Sequence, residues 1–276
     1  HGKPWLEKPI LYYWEAMLAY SAFGVSDWAA RLPSACSATA MVLAIYFFAR
    51  RFRPGTQLDA ALIAASSAAI IGFARGASTD MPLAATFTIA LLGWLAWRES
   101  DEKLWLAGFY VFIGLATLAK GPVAPALAVL IIVILVAVQH DLSVVGRTLW
   151  LPGILLFCVV ALPWYVAVQA RTPEFFRVFI LEHNLARFGT DMFRHKQPFW
   201  YYLPVLPLSL LPWTVLGVAG VVHAVRNSAG EGARAAEGTR ATQVFLLLWI
   251  AVPLVFFSIS QSKLPGYILP AVPPLA

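Results

Sequence analysis

Nearly uncharged apolar runs, each close to the length that crosses a lipid bilayer, recur along this chain from one end to the other. They cover residues 29–49, 58–74, 82–97, 104–119, 123–138, 149–168, 203–225 and 243–259, and residues 267–276 open another helix. A helix needs about twenty apolar residues to cross roughly 30 Å of hydrocarbon, so these read as eight spans and a truncated one, several near the short end. Lipid offers backbone groups no partners, so such a chain must satisfy its amides within each segment. The expected fold is therefore all-α: a polytopic transmembrane helical bundle, one domain over residues 1–276. Composition agrees, with 12% of residues charged against about 25% in soluble domains.

Residues 10–23 are apolar but too short to span. Tyr12, Tyr13, Trp14 and Tyr20 suit the headgroup level, so this segment reads as a helix lying in the interface, with Gly24 as its stop. A short buried helix fits the pattern about equally well. Counting the spans in alternation puts residues 50–53, 98–103, Arg147 and 226–240 on one face. It puts residues 1–9, 75–80, Lys120, 171–198 and Lys263 on the other. The first face carries plain turn and linker chemistry. The second collects the unusual residues, above all the stretch 181–202. That stretch holds Glu182, His183, Asn184, Arg187, Asp191, Arg194, His195 and Lys196, then closes on Pro198-Phe199-Trp200-Tyr201-Tyr202. We read it as an extramembrane loop that helps to roof a site at the membrane surface. A plain solvated loop is the competing reading.

Charge narrows the function. The formal net charge of +6 comes from Lys and Arg scattered between apolar runs, with no basic stripe for nucleic acid. It fits anionic headgroups or a phosphate-bearing substrate. No charge is sustained within the spans, where an ion-coupled transporter would carry ionisable residues. Cys36 and Cys158 lie within apolar runs and read as small core residues. No Gly-rich nucleotide loop is present.

Several stretches in order carry a family likeness. They are Leu6-Glu7-Lys8-Pro9-Ile10-Leu11-Tyr12-Tyr13-Trp14, Ala29-Ala30-Arg31-Leu32-Pro33-Ser34, Asp80-Met81-Pro82-Leu83, Ala119-Lys120-Gly121-Pro122 and Leu162-Pro163-Trp164-Tyr165. Glu182-His183-Asn184-Leu185-Ala186-Arg187-Phe188, Gln197-Pro198-Phe199-Trp200-Tyr201-Tyr202, Pro212-Trp213 and Ser262-Lys263-Leu264-Pro265-Gly266-Tyr267 complete the set. Together they resemble the bacterial protein mannosyltransferase-like integral-membrane glycosyltransferases, and within these the lipid A aminoarabinose transferases. The resemblance implies a GT-C fold with periplasmic juxtamembrane helices and loops. Residues 1–28 would be a periplasmic segment with the interfacial helix, and residues 170–199 a periplasmic loop. It implies a sugar donor on undecaprenyl phosphate, an acceptor that is lipid A, another glycan or lipid, or a protein, and a multi-pass protein of the bacterial inner membrane. A transporter of lipid or small molecules and an envelope polysaccharide ligase are the alternatives from other classes.

For a lipid-phosphate donor the resemblance points to cations beside the phosphate: Lys8, Lys120, Lys263 and Arg187. The ordinary role of such lysines is to snorkel to headgroups. Asp80 is the catalytic carboxylate within the chain, and an N-cap is its plain alternative. Glu7, Glu182, His183, Asn184, His195 and Tyr201 are candidates for positioning the acceptor or the loop. Glu7 and His183 suit a shared divalent ion, but no close-spaced ligand motif supports one, so no cofactor or metal is expected. Phe199–Tyr202, Trp164 and Trp213 read first as an interfacial aromatic belt. The family's principal catalytic Asp lies in an acidic motif that this sequence does not contain, and its expected place is upstream of His1. Residues 1–276 are therefore expected to hold much of the donor side without transferring sugar by themselves.

Overall fold

The computed structural model describes residues 8–179, 197–229 and 237–276. The described segments fold as helices: α1 (Leu11–Phe23), α2 (Asp27–Phe52), α3 (Gln57–Ser66), α4 (Ala68–Ala74), α5 (Asp80–Ser100), α6 (Lys103–Lys120), α7 (Val123–Gln139), α8 (Ser143–Thr148) and α9 (Leu151–Arg171). After the long loop come α10 (Tyr202–Ser209), α11 (Thr214–Ala229), α12 (Glu237–Ile259) and two 3₁₀ turns, Pro265–Ala271 and Pro273–Leu275. Among the described residues, five helices are long and apolar enough to cross a membrane, or up to seven if each of two bent pairs counts as one span. The chain is a multi-pass membrane protein.

Helix α5 is the centre, packed against α2 and α6 and under the first 3₁₀ turn. Its side chains from Met81 to Trp97 are almost all buried, as a helix apolar all round requires. Gly93 lets α6 approach closely: a β-carbon there would lie 3.1 Å from the Trp105 carbonyl oxygen and 3.3 Å from the Phe109 nitrogen. Small residues at such crossings let helix backbones touch.

Two expected spans are broken. Helices α3 and α4 meet at 61°, and α10 meets α11 at 112°. Ser67 is extended between α3 and α4, and Pro204, Pro207 and Pro212 deprive the second pair of backbone donors. The breaks satisfy one another. The Ala68 N–H donates to the Leu211 carbonyl at 2.9 Å, and the Trp213 indole N–H donates to Ser66 Oγ at 2.8 Å. Irregular backbone at membrane depth is tolerated where protein supplies such partners. The helix expected over 267–276 is instead 3₁₀ in character, because Pro265, Pro270, Pro273 and Pro274 remove its i→i−4 donors.

One end of the bundle is tied by charge. Arg53 makes a bidentate pair with Glu99 at 2.6 and 2.9 Å, and Thr242 joins both. Arg51 pairs with Glu102 at 3.2 Å, and Arg147 with Asp101. These contacts gather residues 51–53, 99–102, Arg147 and Thr242 at one end, the grouping that alternation of spans predicts.

Helix α1 lies on α2, its Tyr12 hydroxyl donating to the Ala30 carbonyl at 2.9 Å. Leu11, Ala16 and Ala19 face inward, while Tyr13, Trp14, Met17, Leu18 and Phe23 are exposed. An apolar aromatic outer face fits the interfacial helix and not the buried one. Glu15 breaks this pattern. Its Oε2 is buried without a hydrogen-bond partner, and burial pushes its pKa from 4.5 up to about 7. The folded chain thus keeps this proton where the unfolded chain has released it. The stability associated with neutral Glu15 is complete below about pH 4.5 and is lost as pH rises through about 7. Glu15→Gln should raise the thermal unfolding temperature of detergent-purified protein at about pH 8, with the gain shrinking toward about pH 5. A gain independent of pH would contradict the assignment.

Candidate functional site

The other end of the bundle carries the polar chemistry. Asp80 is the first residue of α5, and Lys120 is the last residue of α6. The Lys120 ammonium pairs with Asp80 Oδ1, with the two side chains 12% and 21% exposed. The N-cap position belongs to Thr79, and the Asp80 amide reaches Ser78 Oγ at 3.4 Å. Asp80 therefore sits in the first turn, where the helix dipole favours a carboxylate, and aims that carboxylate at α6. Its plain N-cap alternative is not what the structure shows.

Three other segments close on this pair. The Lys8 ammonium, just ahead of α1, lies near enough to act electrostatically on Asp80. Gly266, in the first 3₁₀ turn, packs directly against Asp80: a β-carbon there would lie 2.7 Å from Cγ and 2.9 Å from Oδ1. The next residue, Tyr267, presents its ring to Lys120, with Nζ 4.5 Å from the ring centroid. Tyr202, at the start of α10, is fully buried, donates its hydroxyl to the Leu264 carbonyl at 3.0 Å, and lies within electrostatic range of Asp80. Among the described residues, two ammonium groups, Lys8 and Lys120, thus converge on the one carboxylate Asp80 at the end of an apolar bundle.

Lys263 is close in sequence but differently used. It is only 5% exposed. Its ammonium donates to the Ser260 carbonyl at 2.5 Å and the Gln197 carbonyl at 3.2 Å. Burial pushes its pKa down. Among the described residues no carboxylate pairs with it. Tyr201 is half-buried, edge-on to Tyr202 with ring centroids 5.1 Å apart. Glu7, Glu182, His183, Asn184, Arg187 and His195 lie outside the described residues. Asp80 is the carboxylate that the described site contains.

The aromatic belt divides. Phe199 and Trp200 are exposed, as a belt requires. Trp164 instead packs edge-on against Tyr165 and Phe175, where Phe175 and Phe179 stack at 5.2 Å. Tyr165 donates to the Thr117 carbonyl at 2.9 Å, one turn before Lys120. Trp213 is committed to Ser66, as above. Sequence reasoning gave Gly266 and Tyr267 no role. The one available signal was their place three and four residues after Lys263 in a motif already singled out.

Geometry of this kind, with a membrane helical bundle holding its polar groups at one end, defines an integral-membrane GT-C architecture. Residues 7–166 match the dolichyl-phosphate-mannose-protein mannosyltransferase family, and the chain belongs to it. A crystal structure of ArnT from Cupriavidus metallidurans bound to undecaprenyl phosphate superposes with a TM-score of 0.89 at 28% identity, covering 98% of this chain and 49% of that one. The same protein in the apo state gives 0.86 at 27% identity, over 98% of this chain and 48% of that one. The undecaprenyl phosphate-alpha-4-amino-4-deoxy-L-arabinose arabinosyl transferase 2 of Pseudomonas fluorescens is 34% identical over 100% of this chain and 46% of its own length. A Pseudomonas aeruginosa transferase of the same name is 33% identical over 100% of this chain and 49% of its own length. The chain spans about half the length of the relatives it matches.

The tight seat of Asp80 on Gly266 is directly testable. Gly266→Ala must displace Asp80 or Phe73, whose Cε1 would lie 2.9 Å from the new carbon. It should cost about 1–3 kcal/mol, as overpacking does. Gly108→Ala, where nothing lies within 4 Å, is the control and should not destabilise. Equal unfolding temperatures for the two variants in detergent would contradict the close seat.

Proposed function

We propose that the whole protein moves a sugar from undecaprenyl phosphate to lipid A, or to another envelope or protein acceptor, at the periplasmic face of the bacterial inner membrane. The observation that carries this reading is the convergence of two ammonium groups, Lys8 and Lys120, on Asp80 at the end of a bundle. The bundle's likeness to a structure bound to undecaprenyl phosphate supports it. The relatives are named for 4-amino-4-deoxy-L-arabinose, which makes that sugar the first donor to assay.

The chemistry follows from charge. In the donor the phosphate bridges lipid and sugar and carries one negative charge. Attack by an acceptor oxygen on the anomeric carbon breaks the carbon–oxygen bond to phosphate, and the departing lipid phosphate gains negative charge. In this proposal Lys8 and Lys120 stabilise that gain, an interaction stronger in the transition state than in the ground state. The acceptor's proton goes to a base, and a single displacement inverts the anomeric centre. A carboxylate already bonded to an ammonium is a poor proton acceptor. Asp80 therefore organises Lys120 and the acceptor, and the base is assigned to the acidic motif that the family resemblance implies for the whole protein. Arg187 is a further phosphate ligand in this proposal. Glu182, His183, Asn184, His195, Glu7 and Tyr201 would position acceptor and loop.

Lys8→Ala in the full-length protein should lower transfer by the equivalent of about 2–4 kcal/mol, as loss of an oxyanion-site donor does. Abundance should be unchanged, and Lys8→Arg should restore part of the loss. Mass spectrometry of lipid A, with immunoblots of membranes, measures both. Near-normal modification by Lys8→Ala would make Lys8 a headgroup-snorkelling residue.

A further inference from the structure

Lys263 groups in sequence with the phosphate-binding lysines, yet its ammonium has other work. It is almost fully buried and bonds two backbone carbonyls from different segments. Ser260 directly follows α12. Its carbonyl belongs to the negative end of that helix dipole, where a cation is favoured. Gln197 is the first described residue after the extramembrane stretch, five residues ahead of Tyr202. One ammonium thus joins the end of α12, the return of the loop, and the strap of residues 260–271 that leads to the site. An ammonium has three donors and no acceptor, and bonds from a charged donor to carbonyls are about twice as strong as neutral ones.

The strap is anchored at three carbonyls. Ser260 is held by Lys263, Leu264 by the Tyr202 hydroxyl at 3.0 Å, and Pro270 by the Trp249 indole N–H at 2.9 Å. Between the last two anchors the strap presents Gly266 to Asp80 and Tyr267 to Lys120. The Lys263 bond is the anchor that also reaches the loop. We propose that Lys263 is a positioning residue. By clamping the Gln197 and Ser260 carbonyls it fixes the loop's return against the strap, and through the strap it fixes the wall of the Asp80–Lys120 site. It does not touch the donor phosphate. The consequence for transfer rests on the glycosyltransferase reading; the clamp itself does not.

The two roles separate experimentally. A phosphate ligand needs charge, whereas a clamp needs N–H donors. Lys263→Met removes both, Lys263→Gln keeps N–H donors without charge, and Lys263→Arg keeps both. Each is compared with wild-type full-length protein in proteoliposomes. The assay uses undecaprenyl-phosphate-linked 4-amino-4-deoxy-L-arabinose as donor and lipid A as acceptor. Hydrogen–deuterium exchange of peptide 197–203 is read in parallel. Lys263→Met should lower kcat by roughly ten- to hundredfold, the usual effect of losing bonds from a charged donor. It should leave the donor KM within about threefold, and speed exchange in 197–203 by about tenfold or more. Lys263→Gln and Lys263→Arg should recover slow exchange in part. Unchanged exchange in Lys263→Met, or a donor KM raised beyond about threefold, overturns the assignment. If Lys263→Met does not accumulate, the same two limits are applied to Lys263→Gln, with Lys263→Arg as reference. Wild-type protein that transfers no sugar sinks the glycosyltransferase reading, and the exchange measurement still decides the clamp.

Discussion

The ion pair between Asp80 and Lys120 joins the start of the most buried helix to the end of its neighbour. Charges near a bilayer are costly unless paired or wet, so this pair constrains everything around it. Helix α5 must begin where it does to place Asp80 opposite the last turn of α6. Gly266 must lack a side chain to let the strap pass over the carboxylate. Tyr267 and the Lys8 segment then meet the same two side chains from outside the α5–α6 pair. The site is a place where five separate parts of the chain converge on one carboxylate and its ammonium.

The two ends of the bundle use charge differently. At the far end three cations pair with carboxylates, Arg53 with Glu99, Arg51 with Glu102 and Arg147 with Asp101, while Arg98 reaches Gln139 and Lys103 lies over Trp97 and Trp150. Such largely exposed pairs add little stability singly and serve to register α2, α5, α6 and α8. At the site end, among the described residues, the ammonium groups of Lys8 and Lys120 converge on one carboxylate, and Lys263 is held by carbonyls. Charge thus ties helices together at one end and gathers around a single carboxylate at the other.

How much of this was legible in the sequence depends on where the controlling contact lies. The spans were, because their signal is local: an uninterrupted apolar run dictates a helix wherever lipid surrounds it. The breaks were not, since residues 58–74 and 203–225 each read as one span. Prolines 204, 207 and 212 are a signal for the second break, but Ser66 and Ser67 carry no breaker signal for the first. That break is held by Leu211 and Trp213, distant residues whose approach only the fold creates. At the site, Lys8, Asp80 and Lys120 stood out because charge at the end of an apolar run is rare and therefore informative. Gly266 did not, since a glycine needed for close approach looks like any other glycine. The partners of Lys263 were invisible for a deeper reason, as every residue has a carbonyl and sequence does not say which ones face inward.

The central claim is that Lys8 and Lys120 at the site end hold a polyprenyl phosphate. It is tested most directly by equilibrium binding of undecaprenyl phosphate and of undecaprenol to the full-length protein. The wild type and a Lys8→Gln, Lys120→Gln double variant are titrated in nanodiscs of neutral lipid. The account predicts that the phosphate binds the wild type at least about tenfold more tightly than the alcohol, a charge-assisted contact being worth about 1.5–3 kcal/mol. That preference should fall about tenfold or more in the double variant, in which Arg187 remains, while the alcohol's affinity is unchanged. Equal affinity of the wild type for phosphate and alcohol, or a preference undiminished by loss of both lysines, would contradict it.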